Sequence, residues 1–375
     1  MDISSIESVM TDSTHTVFPA AQLEIRHKGE IIFSNSYGHL DPETKLRPAQ
    51  PDTLFDLASV TKLFVTTAFM TLVEEGKVSP DQSVQSVLPG FNGARPIQSY
   101  EDPLKWGSFV SVSDEQGTID TATITFRHLL IHNSGLPAWR PLFQQPDAES
   151  AKRMAIETHF SYRTGTKVVY SDIGLILLGM AIEKLTHQPL AAAVASRVTA
   201  PLKLTHTAYL PISEQSSVIS KNVAPTEFDN QWRKRRIVGE VHDENAYRLG
   251  GVSGHAGLFS NATDLAAFGQ TFLSHTLLRP KTIDGMTSLQ SQFNATRRGI
   301  GFVLWSPDPE ASGNPFSQKA FGHTGFTGTS LWIDPERELV VACLTNEVYN
   351  GRENRKITGF RVKAHMAIIQ SISDF

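Results

Sequence analysis

The sequence predicts an α/β (α+β) fold: an antiparallel β-sheet flanked by helices, built from the two ends of the chain, with a large and mostly helical segment inserted between them. Three observations carry this. The front of the chain reads as a helix and a β-hairpin, and the back as three strands and a closing helix. The stretch between about 80 and 290 instead shows helical periods separated by Pro- and Gly-rich joints. The implied division is 1–80 with 290–375 as one α/β unit and 81–289 as the inserted region, with a cleft between them.

In chain order, a first helix near Asp2–Met10 leads into Ala21–Arg26. The turn His27-Lys28-Gly29-Glu30 joins that strand to the alternating Ile31–Ser36, as a hairpin requires. Apolar residues at Phe64, Val65, Ala68, Phe69, Leu72 and Val73 then recur at helical spacing after Ser59, and Gly76 ends the run. The inserted region contributes helices over about 124–132, 147–158, 171–187, 190–199, 261–275 and 279–288. Strands are expected over Gly299–Trp305, Thr329–Asp334 and Glu338–Thr345, the last two joined by the turn Asp334-Pro335-Glu336-Arg337, and a helix over about 354–372 closes the chain.

Composition narrows the function. At 375 residues the chain needs no disulfide staple, and its one cysteine, Cys343, sits in an apolar run that reads as a buried strand. Its 34 basic and 38 acidic residues give a net charge of −4, so no overall field draws nucleic acid or an anionic membrane. The Arg233-Lys234-Arg235-Arg236 cluster reads as a solvated loop or a rim that attracts anionic substrates. The apolar stretch Ile173–Ile182 is half a bilayer span, and the first residues lack the basic and apolar regions of a signal peptide, so a cytoplasmic location is expected.

Ser59 is the only serine with a lysine three residues on. At the start of a helix, Ser59 and Lys62 share a face, with Cβ atoms roughly 5–6 Å apart, so the amine can reach the hydroxyl and take its proton. The helix N-terminus adds positive potential where an oxyanion would form. Downstream, Tyr170 in Val168-Val169-Tyr170-Ser171-Asp172 stands at the entrance of an apolar helix. Phe321-Gly322-His323-Thr324-Gly325-Phe326-Thr327-Gly328 places glycines before a strand, where backbone can approach a ligand.

With these motifs in this order, the chain resembles the serine β-lactamase and penicillin-recognising enzyme superfamily, nearest to its class C β-lactamase, D-Ala-D-Ala carboxypeptidase and family VIII carboxylesterase branch. Ser-x-x-Lys lies at 59–62, Tyr-Ser-x at 170–172 and His-Thr-Gly at 323–325, and similar flanks at 128–137 and 250–260 extend the resemblance over roughly 20 to 350. The resemblance implies a β-lactamase/transpeptidase-like fold with Ser59 as the acylated nucleophile. Lys62 would be the base or the group that holds its proton in place, and Tyr170 would pass a proton to the leaving group and later activate water. The backbone N–H groups of Ser59 and Phe326 would form the oxyanion hole, and His323, Thr324 and Gly325 would line the substrate edge. With a lysine buried beside Tyr170, a lowered lysine pKa and an easily ionised tyrosine are expected. His323 stands where many relatives carry lysine, which reduces the fixed charge that draws a penicillin carboxylate.

One position departs from the pattern. Asp172 stands where β-lactamases and D,D-peptidases usually have asparagine, and an ionised aspartate cannot donate to a substrate amide carbonyl. An ester, which needs no such contact, is left in better standing; Asp172 either pairs with Lys62 or caps the following helix. The expected function is therefore a serine hydrolase of the carboxylesterase type acting on small to medium acyl esters. The alternatives are a D-amino-acid peptidase or amidase or weak β-lactamase, an acyltransferase, and a non-catalytic binding protein on the same scaffold.

Other candidates read as structural. His242-Asp243-Glu244-Asn245 lacks metal-ligand spacing and, with Tyr247, is either a cleft wall or a hydrogen-bonded loop. Gly250–Gly257 lacks a P-loop ending and reads as a tight loop before a helix capped by Asn261, and His128 and His132 as core or helix-end histidines. No Gly-x-Ser-x-Gly elbow occurs. No cofactor or metal is expected, and the partner is a small-molecule ester or amide, with neither nucleic acid nor membrane. Loops at about 90–123, 138–150 and 210–240 would shape the cleft, the last as a lid.

Overall fold

The computed structural model describes residues 3–105, 107–112, 117–210, 222–353 and 355–373. Its frame is an antiparallel sheet of eight strands, ordered Ser291–Phe293, Thr296–Arg298, Val303–Leu304, Phe321–Thr324, Ser330–Asp334, Leu339–Thr345, Ala20–His27 and Glu30–Gly38. The two ends of the chain meet where Leu339–Thr345 pairs with Ala20–His27, with Leu23 opposite Cys343 and Ile25 opposite Val341. The sequence-predicted joining of front and back is therefore a strand pairing.

Leu339–Thr345 is buried on both faces, which is why it reads as an unbroken apolar run. Side chains alternate along a strand, so Val340, Ala342 and Leu344 enter one core while Leu339, Val341 and Cys343 enter another. The first core lies against the Ala262–Ser274 helix, and the second under Ser4–Ser13 and Ile357–Ser373. Gly269 sets the first approach: a Cβ there would sit 2.7 Å from a Val340 methyl. The Thr61–Glu74 helix, which carries Lys62, is apolar nearly all round and runs through the first core, with Phe64 stacked on Phe268 at 3.9 Å between ring centroids.

Two strand expectations need correction. The stretch expected as one strand over Gly299–Trp305 is a turn followed by the two-residue strand Val303–Leu304. Gly301 has φ +79°, and a Cβ there would come within 2.7 Å of Thr66. Phe321–Thr324, expected to precede a strand, is itself one, with no alternating apolar pattern to announce it.

The inserted segment carries the expected helices as Phe126–Leu130, Ala148–Ile156, Asp172–Thr186, Leu190–Val194, Ala262–Ser274 and Pro280–Thr287, and adds the short Glu244–Arg248. It also contains short ladders, including Ala94–Pro96 with Thr118–Asp120, Tyr100–Glu101 with Phe109–Val110 and Phe228–Asp229 with Arg235–Arg236. Strands of two or three residues are too short to show a period of two. Residues 211–221 of the expected lid lie outside the described residues. Among the described residues, no helix is long and apolar enough to cross a membrane.

Candidate active site

Ser59 sits in a 3₁₀ turn, Ala58–Val60, just ahead of the Thr61–Glu74 helix rather than within it. The turn is held in an uncommon shape: Ala58 has φ +46°, a region that costs an L-residue about 1–2 kcal/mol. Asp56 stabilises it by accepting from the Ala58 N–H at 2.8 Å through one oxygen, while its other oxygen accepts from the His242 N–H at 2.6 Å. Burial pushes the Asp56 carboxyl up to about 6. A raised carboxyl pKa stabilises the fold below the unfolded value near 4 and loses that contribution as pH rises through 6. The Asp56 contribution should therefore fall by about 3 kcal/mol between pH 4 and 7. In denaturant titrations across that range, Asp56→Asn should flatten this part of the slope, and an unchanged slope would assign it to another group.

One turn on, the Lys62 amine is buried. It donates to Ser59 Oγ at 2.9 Å and to the His255 carbonyl at 3.0 Å, and lies 2.8 Å from Asp172 Oδ1. Burial pushes its pKa down, but Asp172 and Tyr170 outweigh that, so the net shift is upward. The expected lowering is corrected: the carboxylate at 172 keeps the resting lysine charged.

Asp172 pairs with Lys62 because Ser171 takes the cap. Ser171 Oγ accepts from the Gly174 N–H at 3.3 Å and donates to the Pro137 carbonyl at 2.6 Å. Tyr170, at the entrance of this helix, is surrounded by rings and cations. Lys62 Nζ lies 4.8 Å from its ring centroid, the Arg298 guanidinium 5.1 Å, and the rings of His132 and His323 lie 4.7 and 5.9 Å away. The ring is half-buried while its hydroxyl is covered and has no well-aligned hydrogen bond. Burial raises the Tyr170 pKa more than Lys62 lowers it, so the expectation of an easily ionised tyrosine is also corrected.

His323 reaches the same place from the Phe321–Thr324 strand. Its Nδ1 bonds the Thr324 carbonyl at 2.8 Å, its Nε2 is buried and unpartnered, and burial beside Arg298 and Lys62 holds its pKa well below the usual histidine range. The imidazole is neutral at pH 7, as the sequence implied. Gly325 is required by close approach, since a Cβ would stand 2.1 Å from Thr329 Oγ1 and 2.5 Å from the Leu57 carbonyl. Thr327 and Thr329 donate to the carbonyls of Asp56 and Leu57 at 2.7 and 2.9 Å, tying this loop to the Ser59 turn.

Together Ser59, Tyr170, His323, Thr324, Gly325 and Phe326 border a cavity of about 380 Å³. Arg298, unmarked by any motif, borders it too: it is 9% exposed, and its Nε and Nη1 have no partner. A larger cavity of about 810 Å³ beside Arg95, Arg140 and His159 lies away from Ser59 and Lys62, so size alone does not mark the chemistry.

Comparison with known proteins decides the family, because the profile described as Beta-lactamase matches residues 6–365. The chain belongs to the beta-lactamase family. It is 36% identical to the N-acetylmuramyl-L-alanine amidase of Bacillus subtilis (strain 168), over 88% of this chain and 77% of that protein. It is 31% identical to a putative D-alanyl-D-alanine carboxypeptidase of Escherichia coli (strain K12), over 89% and 79% of the two chains. The solved structure of EstCE1, a hydrolase with promiscuous acyltransferase activity, shares the fold with a TM-score of 0.72 at 21% identity, covering 97% of each chain. This beta-lactamase-family chain is accordingly a serine hydrolase with the β-lactamase/transpeptidase-like fold.

In this family member the remaining sequence candidates fall into place. Asp243 meets His255, Glu244 pairs with Arg352, and Asn245 bonds the Phe143 N–H and Arg140 carbonyl. Tyr247 packs 5.4 Å from Trp232. The segment is the capped start of the Glu244–Arg248 helix rather than a loop; none of its residues borders the 380 Å³ cavity, and Glu244 lines a second cavity of about 690 Å³ that shares Phe326 and Arg355 with it. The basic cluster is in part the solvated loop expected, with Lys234 and Arg235 exposed, although Arg235 pairs with Glu240 and the Arg233 side chain is buried beside Asp229 and Glu240. His128 completes the Thr125 capping box. His132 accepts from the Ser171 N–H at 3.1 Å, so a residue read as core packs against Tyr170. Asp172, Asp243 and His255 bring donor atoms within 4.8 Å of one another, and the ammonium of Lys62 is the cation paired there.

Proposed function

We propose that this protein hydrolyses a small acyl substrate through an acyl-enzyme on Ser59, in the cleft between the 1–80 and 290–375 unit and the 81–289 region. The observation that carries the reading is the 2.9 Å contact of Lys62 Nζ with Ser59 Oγ, beside Tyr170 in an open cavity. The minor neutral form of the Lys62 amine takes the Ser59 proton as Oγ bonds to the substrate carbonyl. The oxyanion is held by the N–H groups of Ser59 and Phe326. Tyr170 protonates the leaving group as its bond breaks, then takes a proton from water as that water attacks the acyl carbon. The bond between Ser59 Oγ and the acyl carbon then breaks, Lys62 returns its proton to Oγ, and the carboxylic acid leaves.

The substrate reading is an amide bearing a carboxylate. Two features support it: the Arg298 guanidinium in the cavity, whose Nε and Nη1 have no partner, and the names of relatives at 36% and 31% identity, an amidase and a putative carboxypeptidase. A carboxylesterase reading is favoured by Asp172, whose carboxylate is committed to Lys62 and offers no donor to an amide carbonyl. Turnover of N-acetylmuramyl-L-alanine, D-alanyl-D-alanine peptides and neutral p-nitrophenyl esters by the wild type separates the two. Amide cleavage with slow ester turnover supports the first, and fast ester turnover with intact amides supports the second.

A further inference from the structure

Behind Lys62 lies a pair of side chains for which the reaction above has no use. His255 is 1% exposed, and both ring nitrogens are engaged: Nδ1 with Ser253 Oγ at 2.8 Å and Nε2 with Asp243 Oδ1 at 2.8 Å. The same residue's backbone carbonyl receives the Lys62 ammonium at 3.0 Å. We propose that the Asp243–His255 pair is a positioning unit that holds this carbonyl in place and thereby aims the Lys62 amine at Ser59.

The argument begins with the three protons of the ammonium. Two are donated to Ser59 Oγ and the His255 carbonyl, and the charge pairs with Asp172 Oδ1 at 2.8 Å, so the last two contacts fix the direction of the first. Asp172 is anchored at the start of a 15-residue helix. The His255 carbonyl instead lies in a glycine-rich loop, with φ of +91°, +85° and +120° at Gly250, Gly251 and Gly257, where the backbone has little intrinsic stiffness. The loop gains rigidity from two sources. Gly254 is pressed against the Asp172–Thr186 helix, where a Cβ would stand 1.9 Å from the Leu175 carbonyl, and the His255 ring is clamped at both ends.

Asp243 is fixed in turn. Its Oδ1 accepts from the Ala246 N–H at 2.7 Å, and the preceding His242 N–H is bound by Asp56, the residue that also holds Ala58. The contacts close a ring: Asp56 to the Ser59 turn, Ser59 to Lys62, Lys62 to His255, His255 to Asp243, and back through His242 to Asp56. A displacement of about 1 Å at a reacting group can cost on the order of 100-fold in rate, so a ring that fixes the serine and its lysine relative to each other has kinetic value. The helix cap formed by Asp243 explains its bond to Ala246, but not the second bond to a buried histidine whose carbonyl faces Lys62.

The inference rests on Lys62 serving Ser59, and its test uses p-nitrophenyl acetate, which does not depend on the natural substrate. Asp243→Ser keeps an oxygen able to cap Ala246 but is too short to reach His255. It should lower kcat by about 30- to 300-fold while KM stays within about threefold. Asp243→Asn keeps both length and cap, and should recover at least about tenfold of that loss. A folded Asp243→Ser with wild-type kcat overturns the proposal, as does a loss that Asp243→Asn fails to relieve. Should Asp243→Ser not fold, Ser253→Ala releases the other end of the ring and leaves the cap intact. A kcat drop of about three- to tenfold supports the proposal, and an unchanged kcat overturns it. With Ser59→Ala as control, retained turnover there removes the functional reading and this inference together. Lost turnover there with unaffected Asp243 variants removes only this inference.

Discussion

Lys62→Ala is expected to lower kcat by at least about 10³-fold, the scale of a positioned general base together with the group that orients the nucleophile. The amine donates to Ser59 Oγ at 2.9 Å and so both orients the hydroxyl and stands within reach of its proton. The substitution also leaves Asp172 without its cation, so a loss of about 3–5 kcal/mol in stability, the scale for breaking a buried pair, should accompany it. Lys62→Arg separates the two effects. It retains a cation for Asp172, but a guanidinium does not release a proton near neutral pH. Its melting temperature should lie closer to wild type than that of Lys62→Ala, with kcat still depressed. Wild-type kcat in Lys62→Arg would mean that no proton passes through residue 62.

The second large effect concerns Arg298. For a substrate with a carboxylate, Arg298→Leu should raise KM by about 30-fold or more, since removing one partner of a desolvated charge pair costs at least about 2 kcal/mol. Neutral p-nitrophenyl esters should be affected only a few-fold. The contrast between substrates is the informative part, because a guanidinium 5.1 Å from the Tyr170 ring also touches the catalytic chemistry. Equal losses on charged and neutral substrates would assign Arg298 to Tyr170 instead of to substrate. The result also bears on His323. A histidine there implied a reduced fixed charge, whereas the structure places the Arg298 guanidinium in the same cavity from a strand two places away in the sheet.

What could be read from the sequence follows a physical rule. Ser59 and Lys62 were legible because their chemistry is local to one helical turn, and Tyr170 and His323 because each sits in a short contiguous pattern. The central strand Leu339–Thr345 announced itself through unbroken burial, and the long apolar helices through their period. Arg298 carried no such mark, since its meaning comes from a turn at Gly299–Gly301 that returns the chain beside Tyr170. His132 and the Asp243–His255 pair were likewise visible as residues but not as neighbours, being brought together by contacts 12 to 39 positions apart in sequence. The pKa directions at Lys62 and Tyr170 went astray for a related reason. Proximity of the two groups was foreseen, but the balance between burial and the Asp172 carboxylate depends on distances that only the folded chain sets.

The central claim is that Ser59 is acylated. The most direct test is intact-protein mass spectrometry of wild type and Ser59→Ala, quenched within seconds of mixing with a penicillin or p-nitrophenyl acetate, followed by peptide mapping. The account predicts a single acyl adduct on the peptide containing Ser59 in the wild type and none in Ser59→Ala. An adduct of equal occupancy in Ser59→Ala, or one mapped to another residue while turnover proceeds, would contradict it.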